Sequence, residues 1–122
     1  MNSSDQPEWP LFVISLIDAD VRRQALIDSL CKLALKYEIY NAIDGRSGLP
    51  RRYESKIDRE DAIMRLGREM TDQEFACGLS HLAVCQEILD SNLPGAIILE
   101  DDAVIGSLFS DFVNQRLYIG FD

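Results

Sequence analysis

A seven-residue apolar segment, followed by a helical pattern and then by a second strand-like segment, constrains the fold of this chain more than any other feature. Residues 11–17 form a nearly continuous run of strand formers, as expected for a strand covered on both faces in a parallel sheet. Apolar residues recur at helical spacing over residues 21–36, after a candidate N-cap at Asp20. Residues 37–43 alternate with aromatic and β-branched side chains. The pattern predicts a strand, a helix and a parallel strand, which together form a βαβ unit.

The second half of the chain predicts a third strand between two helices. Thr71 and Glu74 have the spacing of a capping box, which opens a helix that runs to about Ser91 and is expected to be largely buried. Residues 96–99 are another short apolar run, and residues 107–117 have the pattern of an amphipathic helix. The alternation of strands and helices predicts an α/β fold.

Two stretches of the chain are poor in core-forming residues. Residues 1–10 contain two prolines and several polar residues, which predict a flexible lead-in. Residues 46–70 are highly charged and predict a loop with one peripheral helix. The expected organisation is therefore one domain over residues 11–122.

The composition is that of a soluble globular protein and argues against nucleic acid and anionic lipid surfaces as partners. Hydrophobic residues make up 47% of the chain, and 12 Lys and Arg against 21 Asp and Glu give a formal net charge of -9. This charge repels nucleic acid and anionic lipid, so no nucleic-acid partner is expected. No apolar run approaches the roughly 20 residues of a membrane-spanning helix, so neither a transmembrane segment nor a secretory signal is expected. The three cysteines predict free thiols and a cytoplasmic location.

Acidic residues follow all three predicted strands, as Asp18, as Asp44 and as the triplet Glu100, Asp101 and Asp102. Ligands of open α/β sheets bind at the carboxyl ends of the strands, so these carboxylates are expected to converge at one edge. They repel one another unless a cation separates them, and Mg²⁺ or Mn²⁺ prefers carboxylate oxygens while keeping positions for a phosphate. The pattern predicts a metal-bridged diphosphate site. The alternative is an acidic, solvated turn that caps a following helix.

Two groups of arginines lie near these acidic residues. Arg22 and Arg23 begin the first predicted helix, where guanidinium groups and helix N-terminal amides could hold a phosphate together. Exposed arginines on a polar helix face are the alternative. Arg46, Arg51 and Arg52 form a second basic group, for which a solvated loop is the alternative interpretation.

His81 is the only histidine and lies four residues from both Cys77 and Cys85. On one helix the two cysteine backbones are about 12 Å apart, so one zinc ion with bonds of about 2.3 Å cannot reach both thiolates. The spacing therefore argues against a mononuclear zinc site, and Cys85 is expected to pack in the core. His81 is either a hydrogen-bonded polar tip or a group at the edge of a site, since Ser80 is adjacent.

Three sequence segments are distinctive when taken together. They are residues 13–16, Val-Ile-Ser-Leu, followed by Arg22 and Arg23; residues 74–82, Glu-Phe-Ala-Cys-Gly-Leu-Ser-His-Leu; and residues 97–102, Ile-Ile-Leu-Glu-Asp-Asp. With residues 42–45, Ala-Ile-Asp-Gly, they resemble glycosyltransferase family 25, the bacterial lipooligosaccharide galactosyltransferase family, which has collagen-modifying relatives in animals. Ser15 stands where the family usually has Asn, and Ala76 and Gly78 stand in reverse order. The resemblance covers residues 11–106, the amino-terminal half of such an enzyme.

The resemblance implies a truncated GT-A-like, Rossmann-like nucleotide-sugar domain, with a short, mainly parallel sheet flanked by helices. It implies that Glu100, Asp101 and Asp102 form the metal motif for Mn²⁺ or Mg²⁺, with Asp101 supporting the other two. A UDP-sugar, commonly UDP-galactose, is the implied donor, and Asp44 is expected near its ribose or uracil. The candidate donor-binding residues are Ser15, Arg22, Arg23, Asp44, Gly45, Ser80 and His81.

Two functions follow from the resemblance and the length of the chain. The first is metal-dependent transfer of a hexose, with galactose expected, from a UDP-sugar to a saccharide acceptor in lipooligosaccharide or lipopolysaccharide biosynthesis, at the inner face of the bacterial inner membrane. The second is a truncated, non-catalytic module that binds a nucleotide sugar or a partner chain. Truncation would leave a sheet edge exposed, through which the chain could self-associate.

Overall fold

The computed structural model describes residues 8–119 as an α/β fold. The elements in chain order are β1 (Leu11–Ser15), α1 (Asp20–Lys32), β2 (Glu38–Asn41), a 3₁₀ helix (Arg51–Lys56), α2 (Arg59–Leu66), α3 (Asp72–Asp90), β3 (Ile97–Glu100) and α4 (Ser107–Asn114). Residues 1–7 of the expected lead-in lie outside the described residues. Within residues 8–119, none of the helices has both the length and the apolar character needed to cross a membrane.

The sheet has three parallel strands in the order β2-β1-β3, which confirms the predicted βαβ unit and parallel sheet. Val13 of β1 lies opposite Ile39 of β2 and Leu99 of β3. All five residues of β1 are buried, because this central strand is paired on both sides and covered on both faces.

Helices cover both faces of the sheet. Leu11 and Val13 belong to one apolar cluster, which includes Leu26 and Leu30 of α1 and also Val113 of α4. The alternate residues of β1 belong to a second cluster, as expected from the twofold side-chain alternation of a strand. The second cluster contains Phe12 and Ile14 with Val84 of α3. The sheet is therefore the middle layer between α1 and α4 on one face and α3 on the other.

The start of α1 differs from the sequence prediction. Ala19 is the N-cap, and Asp20, the predicted cap, is the first helical residue, where it pairs with Arg23. The helix ends at Lys32 rather than residue 36, since Ala34 has a φ of +55°, a left-handed conformation that α-helices do not continue through.

The strands are shorter than the sequence predicts. β1 ends at Ser15 and β2 spans only Glu38–Asn41, so the predicted ends at residues 17 and 43 are wrong. The parallel pairing ends where Ser15 lies opposite Asn41, and the backbone N–H of Ala42 donates to the Ser15 carbonyl at 2.9 Å just beyond β2. β1 and β2 therefore stop short of Asp18 and Asp44, which lie in the loops, whereas Glu100 is the last residue of β3.

α3 begins with the predicted capping box, in which Thr71 Oγ1 accepts from the backbone N–H of Glu74. The expectation that α3 is largely buried is wrong. Its buried residues lie along one stripe, whereas Leu82 and Leu89 are exposed. Cys85, expected in the core, is also exposed. The sheet of only three strands covers one face of this helix and leaves the other open.

Residues 43–70 form a separate layer over the N-terminal half of α3. The predicted peripheral helix is α2, and a 3₁₀ helix precedes it. A third apolar cluster joins Leu49 to Phe75, Ala76 and Leu79. This cluster fixes the loop after β2 against α3 and so positions the carboxyl end of the sheet.

Candidate functional site

The strand order creates a topological switch point at the carboxyl ends of β1 and β3. The chain passes from β1 to β2 on one side, and β3 is added later on the other side of β1. In open parallel sheets this arrangement leaves a crevice beyond the strand ends, where ligands bind. A cavity of about 660 Å³ lies here, lined by loop residues that follow the strands and by α3. Ligand pockets have volumes of roughly 300–1,000 Å³, so the cavity is large enough for a small ligand.

Asp101 lies at the floor of this cavity and joins β1, α1 and the loop after β3. Its side chain is almost fully buried, and its Oδ2 accepts a hydrogen bond of 2.9 Å from Ser15 Oγ. Its Oδ1 accepts from Arg22 Nε at 2.6 Å. The hydrogen bond and the charge of Asp101 raise the pKa of Arg22. Asp101 is thus a fixed negative group whose two oxygens both have partners.

Arg22 and Arg23 are adjacent in sequence but have different surroundings. Arg22 lines the cavity, and its Nη2 donates to Asp102 Oδ2 at 3.2 Å. Arg23 donates from Nη1 to the carbonyl of Leu16 at 2.9 Å and to Ser15 Oγ at 3.3 Å. Arg23 therefore braces the turn after β1, whereas Arg22 remains available to a ligand at the cavity.

The three carboxylates of the triplet have different partners. Asp101 binds Ser15 and Arg22, whereas Asp102 is exposed and pairs only with Arg22 among the contacts described here. Glu100 turns towards α3, where its Oε1 lies 3.3 Å from His81 Nε2 and accepts from Cys77 Sγ at 3.6 Å. Partial desolvation, followed by the contact with Glu100, raises the pKa of the Cys77 thiol. The three carboxylates of the triplet therefore contact different elements, and their role as metal ligands stays a prediction.

An ion-pair group lies at the rim of the cavity, between the turns that follow β1 and β2. Arg46 Nη2 donates to both oxygens of Asp18 at 3.0 Å and to Asp44 Oδ2 at 2.8 Å. The Arg46 side chain and then its backbone N–H lower the pKa of Asp44 to about 2. Both acids raise the pKa of Arg46. Because these side chains are about half exposed, a ligand can compete for the guanidinium group.

Ser80 and Gly45 hold the loop after β2 against α3. Ser80 is buried, accepts from the backbone N–H of Ile43 at 2.8 Å and donates to the carbonyl of Ala76 at 2.7 Å. A Cβ at Gly45 would lie 2.6 Å from the carbonyl oxygen of Asp72 and 2.9 Å from the Ala76 Cβ. Only glycine allows this approach of the loop to the start of α3.

The structure brings six of the ten candidate site residues to one cavity. Its lining includes Ser15, Arg22, Gly45, Ser80, Glu100 and Asp101. The remaining four candidates, which are not among the described lining residues, are Arg23, Asp44, His81 and Asp102. Asp44 and Asp102 nevertheless pair with arginines that line the cavity.

Sequence reasoning did not assign Arg46, Cys77 or Gln73 to the site, although all three line the cavity. The spacing of Asp44 and Arg46, with Gly45 between them, is the one local signal that could have identified Arg46. The contact of Cys77 with Glu100 joins α3 to β3 and leaves no local pattern in the sequence.

The cavity combines chemistry that favours an anionic ligand. The first turn of α1 lies at its edge, where unpaired backbone N–H groups and the positive end of the helix dipole attract negative charge. Two guanidinium groups, Arg22 and Arg46, lie in the lining, with Glu100 and Asp101 beside them. Arginine forks bind phosphate oxygens, and carboxylates bind a cation that can accompany a phosphate.

Similar proteins have been found in animals and in bacteria. A Bos taurus protein named "Probable inactive glycosyltransferase 25 family member 3" is 28% identical over 115 residues, which cover 88% of this chain and 18% of that protein. "Procollagen galactosyltransferase 1" of Danio rerio is 28% identical over 110 residues, with the same two shares. "Lipooligosaccharide biosynthesis protein lic2B" of Haemophilus influenzae is 28% identical over 104 residues, which cover 85% of this chain and 37% of that protein.

The match to a protein-family model is longer than the segment over which the sequence motifs were recognised. The model described as "Glycosyltransferase family 25 (LPS biosynthesis protein)" matches residues 9–118. The matched range contains every strand and helix of the structure and all residues of the cavity described above. The chain spans 18% of the length of the first animal relatives. By its motifs, its fold and this match, the chain belongs to glycosyltransferase family 25.

Proposed function

We propose that the chain binds the donor of a metal-dependent hexosyltransferase reaction, in which a hexose passes from a UDP-sugar to a saccharide acceptor. The observation that carries this proposal is the cavity at the switch point, where Arg22 is fixed on Asp101 and Arg46 lies across the opening. A guanidinium fork in the first turn of α1 and a second one from the loop after β2 suit a nucleoside diphosphate better than an uncharged ligand.

A divalent cation is part of the proposal. Asp102 and Glu100 would hold Mn²⁺ or Mg²⁺, and Asp101 would support them through its contacts with Ser15 and Arg22. The fit rests on the chemistry of the donors, since Asp102 and Glu100 are exposed carboxylates that follow one strand end. When bound, the cation would neutralise charge on the departing diphosphate.

The protein's own residues would bind and orient the donor. Arg22 and Arg46 would bind diphosphate oxygens from opposite sides of the cavity, and Arg46 would exchange part of its contact with Asp18 for the ligand. Asp44 would lie near the ribose or uracil, at the outer rim. Ser80 and Gly45 would act at a distance, by fixing the loop that carries Asp44 and Arg46.

The names of the relatives support galactose as the transferred sugar and lipooligosaccharide or lipopolysaccharide as the acceptor class. One animal relative is named a procollagen galactosyltransferase, and one bacterial relative a lipooligosaccharide biosynthesis protein. The same proposal puts the reaction in the cytoplasm, at the inner face of a bacterial inner membrane. Detection of the tagged chain in cytoplasmic or inner-membrane fractions, rather than in the periplasm, would test the location.

Calorimetric titration with UDP, with and without Mn²⁺, tests the donor proposal. Mn²⁺ is expected to raise the affinity for UDP by roughly tenfold or more, because the cation bridges carboxylate and diphosphate. Asp102→Asn is expected to remove this increase and leave the fold intact, because Asp102 is exposed. Asp111→Asn is the matched control, because Asp111 is also an exposed aspartate and lies on α4. Absence of UDP binding, or the same Mn²⁺ effect in Asp102→Asn, would contradict the proposal.

A non-catalytic nucleotide-sugar-binding module is the second candidate. It is favoured by relatives from four mammals whose names call them inactive or probably inactive. Hydrolysis of UDP-galactose, in which the galactosyl group passes to water and UDP is released, separates the two candidates. A catalytic site produces UDP in this assay, and a binding module does not. Transfer to an added saccharide acceptor is expected to be slow for this chain alone, because transfer requires both substrates in a near-attack arrangement.

We also propose that two copies of the chain associate with each other through an edge of the sheet. Within residues 8–119, β2 and β3 are the two outer strands and each pairs only with β1. Unpaired strand edges favour contact with another chain. Sedimentation equilibrium would test this point, with a concentration-dependent dimer as the expected result and a monomer throughout as the contradicting one.

A further inference from the structure

Cys77, His81 and Glu100 form a second polar cluster at the edge of the cavity. Cys77 and His81 lie four residues apart, so α3 presents both on one face, and Glu100 is the last residue of β3. One potential ligand atom from each side chain lies within 4.8 Å of the other two. Among residues 8–119, this is the one group of three or more His, Cys, Asp and Glu side chains that meets this condition.

Two of the three distances between ligand atoms match those of a tetrahedral zinc site, and the third is within 4.8 Å. Bonds of about 2.0–2.1 Å to nitrogen and oxygen and about 2.3 Å to sulfur place neighbouring ligand atoms about 3.3–3.6 Å apart in tetrahedral geometry. The observed separations are 3.3 Å from His81 Nε2 to Glu100 Oε1 and 3.6 Å from Cys77 Sγ to the same oxygen. Two ligands four residues apart on a helix are also a recurring zinc arrangement.

The identity of the three donors selects the metal. Mg²⁺ and Mn²⁺ favour all-oxygen sites, whereas a thiolate and an imidazole beside a carboxylate suit Zn²⁺. Cys85, on the other side of His81 in sequence, takes no part in this cluster. The third ligand comes instead from β3, which removes the distance argument against a mononuclear site.

We propose that Cys77, His81 and Glu100 bind one Zn²⁺ ion and thereby tie α3 to the end of β3. Binding would replace the hydrogen bond from the thiol to Glu100 with two bonds to the metal, and the thiol proton would pass to solvent. Three protein ligands leave a fourth position for water or another ligand. Cys77 and Glu100 both line the cavity, so this position is accessible from the cavity side.

This proposal does not depend on the donor proposal. Zinc would engage Glu100, so a hard cation at the nucleotide would then depend on Asp102 with Asp101. The two metal sites are therefore separable by mutation, since only Glu100 is common to both. Failure of UDP to bind would leave the zinc proposal untouched, and absence of a zinc site would leave Glu100 as well as Asp102 available to Mn²⁺.

Cobalt spectroscopy of the full chain tests whether the metal has a sulfur ligand. Co²⁺ replaces Zn²⁺ in tetrahedral sites, and the wild-type chain is expected to gain a thiolate-to-cobalt charge-transfer band and four-coordinate visible bands at one Co²⁺ per chain. Cys77→Ser should lose the charge-transfer band. Cys85→Ser is the matched control, because Cys85 is also an exposed thiol on α3, and it should keep the band. Equal spectra for both variants would overturn the proposal.

Zinc affinity, measured by competition with a chelating dye, tests the other two ligands. His81→Ala is expected to weaken Zn²⁺ binding by about 100-fold or more, because loss of one ligand removes a large part of the binding free energy. Glu100→Gln should weaken it as well, whereas Asp102→Asn should not. Circular dichroism without metal checks that each variant is folded, which is expected because all of these side chains are at least partly exposed. Wild-type zinc affinity in folded His81→Ala would overturn the site.

Discussion

Two cavities of similar size lie at opposite ends of the same sheet, and their chemistry differs. The cavity at the carboxyl ends has a volume of about 660 Å³, and the one at the amino ends about 770 Å³. Five charged side chains line the first among the described residues: Asp18, Arg22, Arg46, Glu100 and Asp101. The described lining of the second has three, Glu8, Lys36 and Glu38, with Trp9, Tyr37 and Val113 among its apolar residues. The two cavities therefore differ in charge more than in volume.

The direction of the chain explains this difference. Because all three strands are parallel, the helix between β1 and β2 begins at the carboxyl ends and finishes at the amino ends. The carboxyl-end cavity therefore meets the N-terminus of α1, which favours anions, while the other cavity meets the segment after its C-terminus. At the amino end the Trp9 and Tyr118 rings pack with centroids 4.7 Å apart. The carboxyl end is therefore polar and meets a helix N-terminus, whereas aromatic side chains pack beside the cavity at the amino end.

Replacement of Asp101 should break the carboxyl-end site most severely. Asp101→Ala is expected to lower the free energy of unfolding by about 2–3 kcal/mol, because buried Ser15 loses its acceptor and a charged hydrogen bond is lost. Asp102→Ala, one residue away and exposed, is expected to change it by less than about 0.5 kcal/mol. Urea denaturation measures both. Equal destabilisation by the two variants would mean that the hydrogen bonds of Asp101 with Ser15 and Arg22 do not stabilise the fold.

A pair of cation replacements compares the two ends directly. Arg46→Ala is expected to weaken UDP binding by about tenfold, since it removes a fork that can bind phosphate oxygens. Lys36→Ala removes a cation from the amino-end cavity and is expected to leave UDP affinity unchanged. Calorimetry on both variants supplies the comparison. If Lys36→Ala weakened UDP binding as much as Arg46→Ala, binding of UDP only at the carboxyl ends of the strands would be contradicted.

The ionisation of Asp44 gives the smallest and most local effect. Its folded-state pKa of about 2 lies below its usual value of 3.8, so its contribution to stability is present above pH 3.8 and is lost as the pH falls through about 2. In Arg46→Ala this pKa should rise towards 3.8. Glu74, whose pKa Arg68 and Thr71 lower to about 2, should not change in that variant. NMR titration of the side-chain carboxyl carbons measures the pKa of both groups. If the pKa of Asp44 were still about 2 in Arg46→Ala, Arg46 would not be what lowers it.

Much of this fold can be predicted from local sequence patterns. The continuous apolar run of β1 predicts a central strand because burial on both faces leaves no polar alternation, and all five of its residues are buried. The capping box of Thr71 and Glu74 predicts the start of α3 because its hydrogen bonds lie within one turn. Strand ends are less predictable, since β2 stops where its pairing with β1 ends.

The site is less predictable because its decisive contacts join distant segments. Ser80 lies in a polar arc of the sequence pattern, yet it is buried, because it accepts from the backbone N–H of Ile43 37 residues away. The acidic triplet predicts a carboxylate site, but its sequence does not predict that Glu100 turns to Cys77 and His81. These partners depend on how α3 lies over the sheet, which no local spacing specifies.

Mapping of UDP by amide NMR tests the central claim most directly, namely that a nucleotide binds at the carboxyl ends of the strands. The labelled chain would be titrated with UDP and Mg²⁺, which avoids the paramagnetism of Mn²⁺. The predicted result is saturable shifts at the amides of Ala19, Gly45 and Asp101, with none at those of Tyr37 and Leu93 in the other cavity. Shifts confined to the amino-end cavity, or no saturable shifts, would contradict the account.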